Sequence, residues 1–167
     1  MRHYSSKIKN WGNLKSQVEE WKADNKKVVF TNGCFDILHY GHINYLAKAK
    51  EEGDYLIVAL NAAKSVSKLK GIHRPINDDL TRLHIMASLE FVDAVTVFDE
   101  DTPYELIKKV LPNLLVKGGD WQPEQIIGSD IVVASGGEVK SLPFIEGYST
   151  TGIEEKIRRQ VLNEPTY

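Results

Sequence analysis

Apolar residues in this chain fall into two alternating patterns. Short, mostly apolar runs at 28–30, 55–60, 93–98 and 114–116 have the length of strands covered on both faces. Residues 138–142, following the Gly136-Gly137 turn, read as a fifth strand. Between these runs apolar residues recur three or four apart, as on one face of a helix. Leu14, Val18 and Trp21 form one such set, capped by Asn13. Ile43, Leu46, Ala47 and Ala49 form a second, ended by Gly53-Asp54. Leu83, Met86, Ala87 and Leu89 form a third; Leu106, Ile107 and Val110 a fourth, with Thr102 as cap, Pro103 at the first position and Pro112 at the end. Ile153 and Ile157 lie four apart in a last helix over 152–161, capped by Ser149-Thr150-Thr151. Short helical pieces are expected at 123–127 and 129–134. Residues 62–79 carry Lys64, Lys68, Lys70, His73 and Arg74 with few apolar anchors, and are predicted to be a mobile basic loop.

Strands alternating with helices predict an α/β fold: a Rossmann-like, doubly wound, mostly parallel five-stranded sheet with helices on both faces. Ligands of such sheets bind at the carboxyl ends of the strands, where strand order reverses. The chain is expected to divide into an N-terminal helical appendage (1–26), one domain (27–160) and a C-terminal tail (161–167). Residues 1–10 are polar, with Lys7 and Ile8 able to dock on the body. Trp21 is expected to be a packing anchor.

The total of 167 residues suits a single core of ordinary size. A formal net charge of −2 provides no broad field for nucleic acid or an anionic membrane. A small anion needs only a local positive patch, so a nucleotide ligand stays open. Cys34 is the one cysteine, which fits a reducing compartment. No stretch approaches a membrane span, and residues 1–26 lack the apolar core of a signal peptide. These readings predict a cytoplasmic protein.

Candidate chemistry concentrates in residues 28–49. An apolar strand runs into Thr31-Asn32-Gly33, read as a turn, and then into His39-Tyr40-Gly41-His42 just ahead of a helix. A helix start at a strand's carboxyl end aims free N–H groups and a positive dipole end at whatever binds there, most often phosphate. Gly41 allows close approach of backbone and ligand. Two imidazoles three residues apart add donors that can follow charge onto a phosphoryl group. A histidine taken alone reads more readily as a packed or surface side chain; the spacing with glycine at this junction is what favours a site.

His39-Tyr40-Gly41-His42 resembles the signature of the nucleotidyltransferase superfamily, and Ser149-Thr150-Thr151-Gly152-Ile153 resembles the Ser/Thr motif of its cytidylyltransferase branch. Within that branch, Leu69-Lys70-Gly71, Arg74-Pro75, the stretch from Phe98 to Pro103 and Leu115-Val116-Lys117-Gly118-Gly119-Asp120 are similar to the heptose 1-phosphate adenylyltransferases. Such enzymes make ADP-heptose for lipopolysaccharide, often fused to a kinase; the likeness implies a stand-alone version here. One position departs from the glycerol-3-phosphate-type relatives. Their phosphate-binding arginine, five residues before the Ser/Thr motif, is Phe144 in this chain. Lys70 or Arg82 is expected to take its place.

The implied reaction joins a sugar 1-phosphate to the α-phosphorus of ATP and releases pyrophosphate. Its nucleophile is already ionised, so positioning and electrostatics should dominate. Covalent catalysis by Cys34 would want a dedicated base and orienting carboxylate. By resemblance and physics together, His39, His42, Lys70, Ser149 and Thr150 are the expected catalytic set. Thr31, Asn32, Gly33, Cys34, Phe35, Gly41 and Thr151 are expected to bind nucleotide, with Lys117, Gly118, Gly119 and Asp120 framing base and ribose. Asp36, Asn61 and Arg82 are assigned to the substrate side. Asp36 is expected to orient a histidine or the loop rather than a metal. Arg82 is expected either to reach the β- or γ-phosphate or to pair at the surface. No carboxylate cluster has metal spacing, so Mg²⁺ is expected on the phosphates. A homodimer is expected. The rival readings are a CTP-dependent cytidylyltransferase acting on glycerol 3-phosphate and a nucleotide-binding sensor.

Overall fold

The computed structural model describes residues 3–162. In chain order the elements are α1 (Trp11–Ala23), β1 (Val28–Gly33), α2 (Tyr40–Glu51), β2 (Tyr55–Asn61), α3 (Ala63–Lys70), α4 (Asp79–Ser88), β3 (Ala94–Phe98), α5 (Tyr104–Val110), β4 (Leu114–Gly118), α6 (Ser129–Ala134), β5 (Glu138–Leu142) and α7 (Thr150–Leu162). Every strand pairing is parallel and the sheet order is β3-β2-β1-β4-β5. The fold is therefore the doubly wound α/β sheet expected. Among the described residues no helix is long and apolar enough to cross a membrane.

The apolar strands feed two cores at once, because successive side chains leave opposite faces of a sheet. Val28, Phe30, Ile57, Ala59 and Leu115 pack with Leu14 and Val18 of α1 and with Leu106, Ile107 and Val132 of α5 and α6. Val29, Leu56, Val58, Leu60, Leu114 and Val116 pack with Tyr45, Leu46 and Ala49 of α2 and with Met86 and Ala87 of α4. Leu14 and Val18 of α1 thus line the same core as the central strands. Trp21 stacks on Tyr55 with ring centroids 4.1 Å apart. Lys7 and Ile8 do dock: the lysine donates to the Leu89 carbonyl at 2.9 Å, and Ile8 bridges to Val95.

Several local expectations change. Thr31-Asn32-Gly33 is not a turn but the last half of β1, in register with Val58, Ala59 and Leu60 of β2. The polar residues are tolerated because this end of the strand faces a cavity. Asn10, not Asn13, caps α1, accepting from the Asn13 N–H at 2.8 Å. The helix starts earlier because the Trp11 indole is fixed on the Val97 carbonyl at 2.9 Å. Thr102 does not cap α5; the first helical bond runs from the Ile107 N–H to the Pro103 carbonyl, leaving the threonine outside. Residues 63–70 of the supposed basic loop form α3. Buried Val66 anchors it, and Asp79 accepts from its first N–H, on Ala63, at 2.8 Å. Of the expected tail, residues 161 and 162 belong to α7; 163–167 lie outside the described residues.

Candidate active site

Strand order reverses between β1 and β4, so the loops leaving them diverge to opposite faces and open a cleft. A cavity of about 500 Å³ lies there, at the carboxyl ends of the strands. Its wall brings together Asn32, Gly33, Cys34, Phe35 and Asp36 at the end of β1, and His42 of α2. Asn61, Lys70, Lys117, Gly118 and Thr150 complete it from β2, α3, β4 and α7. These segments are far apart in sequence, and all were expected at the site.

The other expected residues sit differently. His39 is the N-terminal capping residue of α2 and lies outside the cavity wall, stacked on His42 with ring centroids 3.8 Å apart. The Nδ1 atoms of both rings are buried without a hydrogen-bond partner. A Cβ on Gly41 would lie 3.1 Å from the His39 ring and 3.2 Å from the Tyr148 Cβ, so any larger residue would push the ring or the loop before α7 outward by a few tenths of an ångström. Ser149 Oγ accepts from the Gly152 N–H at 2.9 Å and so caps α7, while Thr150 faces the cavity. Thr31 is fully buried. Gly119, Asp120 and Thr151 lie outside the wall.

Asp36 lines the cavity but spends its carboxylate on structure, and Arg82 lies outside the wall in a structural position. Asp36 is 2 % exposed and accepts from Arg74 Nε at 2.7 Å and from the Ile76 and Asn77 N–H groups, each at 2.8 Å. Burial works against its carboxylate, yet the two N–H groups and the guanidinium hold its carboxyl below the ordinary range. It orients the loop after α3, one of the roles anticipated for it. Arg82 is 1 % exposed, donates to the Cys34 carbonyl at 2.7 Å and pairs with Asp79. Its reach is spent beneath the β1 loop, so it neither faces the cavity nor pairs at the surface.

The site's electrostatics follow from its dryness. Burial first, then the neighbouring His39 ring and the Lys70 ammonium, lower the His42 imidazole to about 4. Burial lowers His39 as well. Both shifts favour the neutral rings in the free protein. Among the described residues no group of His, Cys, Asp and Glu is placed to hold a metal ion.

A family model described as cytidylyltransferase-like matches residues 30–156, most of the chain and every segment of the cavity wall. The chain belongs to the cytidylyltransferase-like family. Curated relatives named "Bifunctional protein HldE" include those of Geobacter metallireducens, 51 % identical over 92 % of this chain, and Histophilus somni, 56 % identical over 87 %. The chain spans about a third of their length: 31 % of each. A solved lipopolysaccharide core biosynthesis protein from Thermoplasma volcanium is 28 % identical with TM-score 0.59, covering 74 % of this chain and 99 % of that one. A pantoate-beta-alanine ligase from Francisella tularensis shares the fold at 17 % identity and TM-score 0.58, over 95 % of this chain and 79 % of that one.

Sequence reasoning about this cytidylyltransferase-like chain missed Tyr45, Trp121 and Phe144 in the wall. Tyr45 hides among helical core positions; its one signal is a hydroxyl three residues after His42. That hydroxyl lies 2.6 Å from Thr31 Oγ1 and donates to the Val116 carbonyl at 3.3 Å, tying α2 to β1 and β4. Tyr45→Phe leaves the ring in place and strands the Thr31 hydroxyl. Its expected cost is about 1 kcal/mol of unfolding free energy, read from the shift in a urea denaturation midpoint at unchanged slope.

Proposed function

We propose that this chain transfers AMP from ATP to a D-glycero-D-manno-heptose 1-phosphate, releasing pyrophosphate and ADP-heptose. The observation that carries the reading is the imidazole of His42. It is set in the first turn of α2 on a cavity that also receives Lys70 and Thr150, and burial disfavours its charged form. Two helix starts at one cavity supply the N–H groups and dipole ends that polyphosphate favours. The sequence likeness to heptose 1-phosphate adenylyltransferases supports the sugar, and the similarity to a lipopolysaccharide core biosynthesis protein is in keeping with it.

In this mechanism a phosphate oxygen of the sugar phosphate attacks the α-phosphorus of ATP. The bond from that phosphorus to the bridging oxygen breaks, and pyrophosphate leaves with its electron pair. No proton need be removed from the nucleophile. His42 donates to the crowded α-phosphate, His39 backs it, and Lys70 bridges the two anions. Mg²⁺ enters as the counter-ion of the triphosphate, because the described residues offer it no ligand cluster. A cytoplasmic location and a homodimer belong to the same reading. The exposed Ile76, Leu80 and Ile85 give a second copy apolar surface to cover.

The family description, cytidylyltransferase-like, keeps CTP as the rival nucleotide, and glycerol 3-phosphate is the acceptor to test with it. Pyrophosphate release measured with ATP or CTP against heptose 1-phosphate or glycerol 3-phosphate separates the two. Release with ATP and the heptose is the expected result; release only with CTP, or with no acceptor tried, overturns the assignment.

A further inference from the structure

Lys117 leaves the carboxyl end of β4 beside the end of β1 and reaches into the cavity. Its ammonium has two partners, the Asn32 carbonyl oxygen at 3.3 Å and Asn32 Oδ1 at 3.4 Å. Both are neutral and both contacts are long for a charged donor. No carboxylate among the described residues pairs with it, whereas Lys50, Lys68 and Lys140 each have one within 2.7 Å. Burial lowers its pKa, offset in part by the nearby Cys34 side chain, as expected for a cation withdrawn from water without a carboxylate partner. The two carboxylates in the cavity wall are already engaged, Asp36 by Arg74 and Asp101 by Lys68. A protein does not keep such a charge unpaired for stability's sake, since apolar replacements of buried charges are often neutral or stabilising.

The neighbouring residue restricts what Lys117 can be doing. A Cβ on Gly118 would lie 2.3 Å from the tip of the Phe144 ring, and the Gly118 carbonyl accepts from the Trp121 indole at 3.2 Å. The β4 end therefore presents aromatic rings and backbone at Gly118, surfaces suited to a base, and a lone cation one residue earlier.

We propose that Lys117 is a phosphate-binding residue whose counter-charge is delivered by the substrate, not one that frames base and ribose. This rests on the cavity being the site for phosphate-bearing substrates. On that reading Lys117 and Lys70 grip the anions from β4 and α3, and the charge on Lys117 is neutralised only in the occupied state.

The test uses Lys117→Met, which keeps the stem, and Lys117→Arg, which keeps the charge. Binding of sodium tripolyphosphate, adenosine and ATP is measured by calorimetry, and KM separately for ATP and for the sugar 1-phosphate. Lys117→Met is expected to raise one of the two KM values by about tenfold. Lys117→Arg should recover part of that loss, adenosine affinity should not change, and the ligand-free melting temperature should hold or rise. A rise confined to ATP, with weakened tripolyphosphate binding, puts the ammonium on the triphosphate; a rise confined to the acceptor puts it on the sugar phosphate. Either supports the proposal. Unchanged KM values, or adenosine affinity falling in step with ATP, overturns it. Should Lys117→Met not fold, protection of Lys117 from reductive methylation in the wild-type chain by tripolyphosphate or by the sugar 1-phosphate decides instead; labelling undiminished by both counts against the proposal. Wild-type protein that binds neither ATP nor tripolyphosphate would refute the cavity's assignment itself, a result distinct from failure of the Lys117 role alone.

Discussion

Replacing His42 with alanine is expected to slow turnover by about 10²–10³-fold, the usual consequence of losing one preorganised donor to developing charge. The ring stacks on His39 and meets Phe35 edge-on, so it is held before any ligand arrives. Circular dichroism should confirm that the variant is folded, and single-turnover kinetics should place the loss in the chemical step. Wild-type turnover in the variant would remove the basis of the proposed mechanism. The depressed pKa adds a second readout. Its folded value, about 4, lies below the ordinary 6.5, so the unfolded chain binds this proton first. Stability of the free protein therefore falls as pH drops from 6.5 towards 4. The His42 contribution to that slope should vanish in His42→Ala. Polyphosphate should shrink it in the wild type, because an anion against the ring favours the protonated form.

Asp36→Ala is expected to destabilise the fold by about 3–5 kcal/mol, the range for removing one partner of a buried ion pair. The carboxylate satisfies a guanidinium and two backbone N–H groups and is 2 % exposed. Arg74 also pairs with Glu154 of α7. One buried charge thus holds the β1 loop, the stretch after Lys70 and the helix carrying Thr150 in a fixed relation. Denaturant titration should show a lower midpoint, and any activity that survives should carry raised KM values for both substrates. A midpoint within about 0.5 kcal/mol of wild type, the range of ordinary surface substitutions, would contradict this. The carboxyl is held low, so its stabilisation is present above the ordinary 3.8 and is lost only as pH falls below it. Its acid response is therefore separable from that of His42.

What could be read from the sequence followed the strength of each physical signal. Continuous apolar runs such as residues 56–60 have few alternatives to a doubly covered parallel strand, and the His-x-Gly-His spacing marks a helix start at a ligand. Weaker signals misled. Thr31-Asn32-Gly33 has turn composition, yet parallel pairing of all three residues with β2, and of Thr31 with β4, keeps the backbone extended. The α3 segment has one apolar anchor and borrows its capping carboxylate from Asp79, a tertiary contact that no local pattern announces. Arg82 was assigned by charge alone, and a charge says nothing about which carbonyl it will meet. Lys117 was legible as a site residue, but strand periodicity does not reveal that Phe144 covers Gly118.

The placement of β1 has a consequence for biosynthesis. It is the middle strand, yet one of its flanks is filled by β2 and the other waits for β4, whose first partner residue is Leu114. A nascent chain therefore carries an unzipped ribbon edge on β1 from the synthesis of Gly33 until Leu114 has been made. The candidate cleft, which straddles that seam, comes into being only when the late strand arrives.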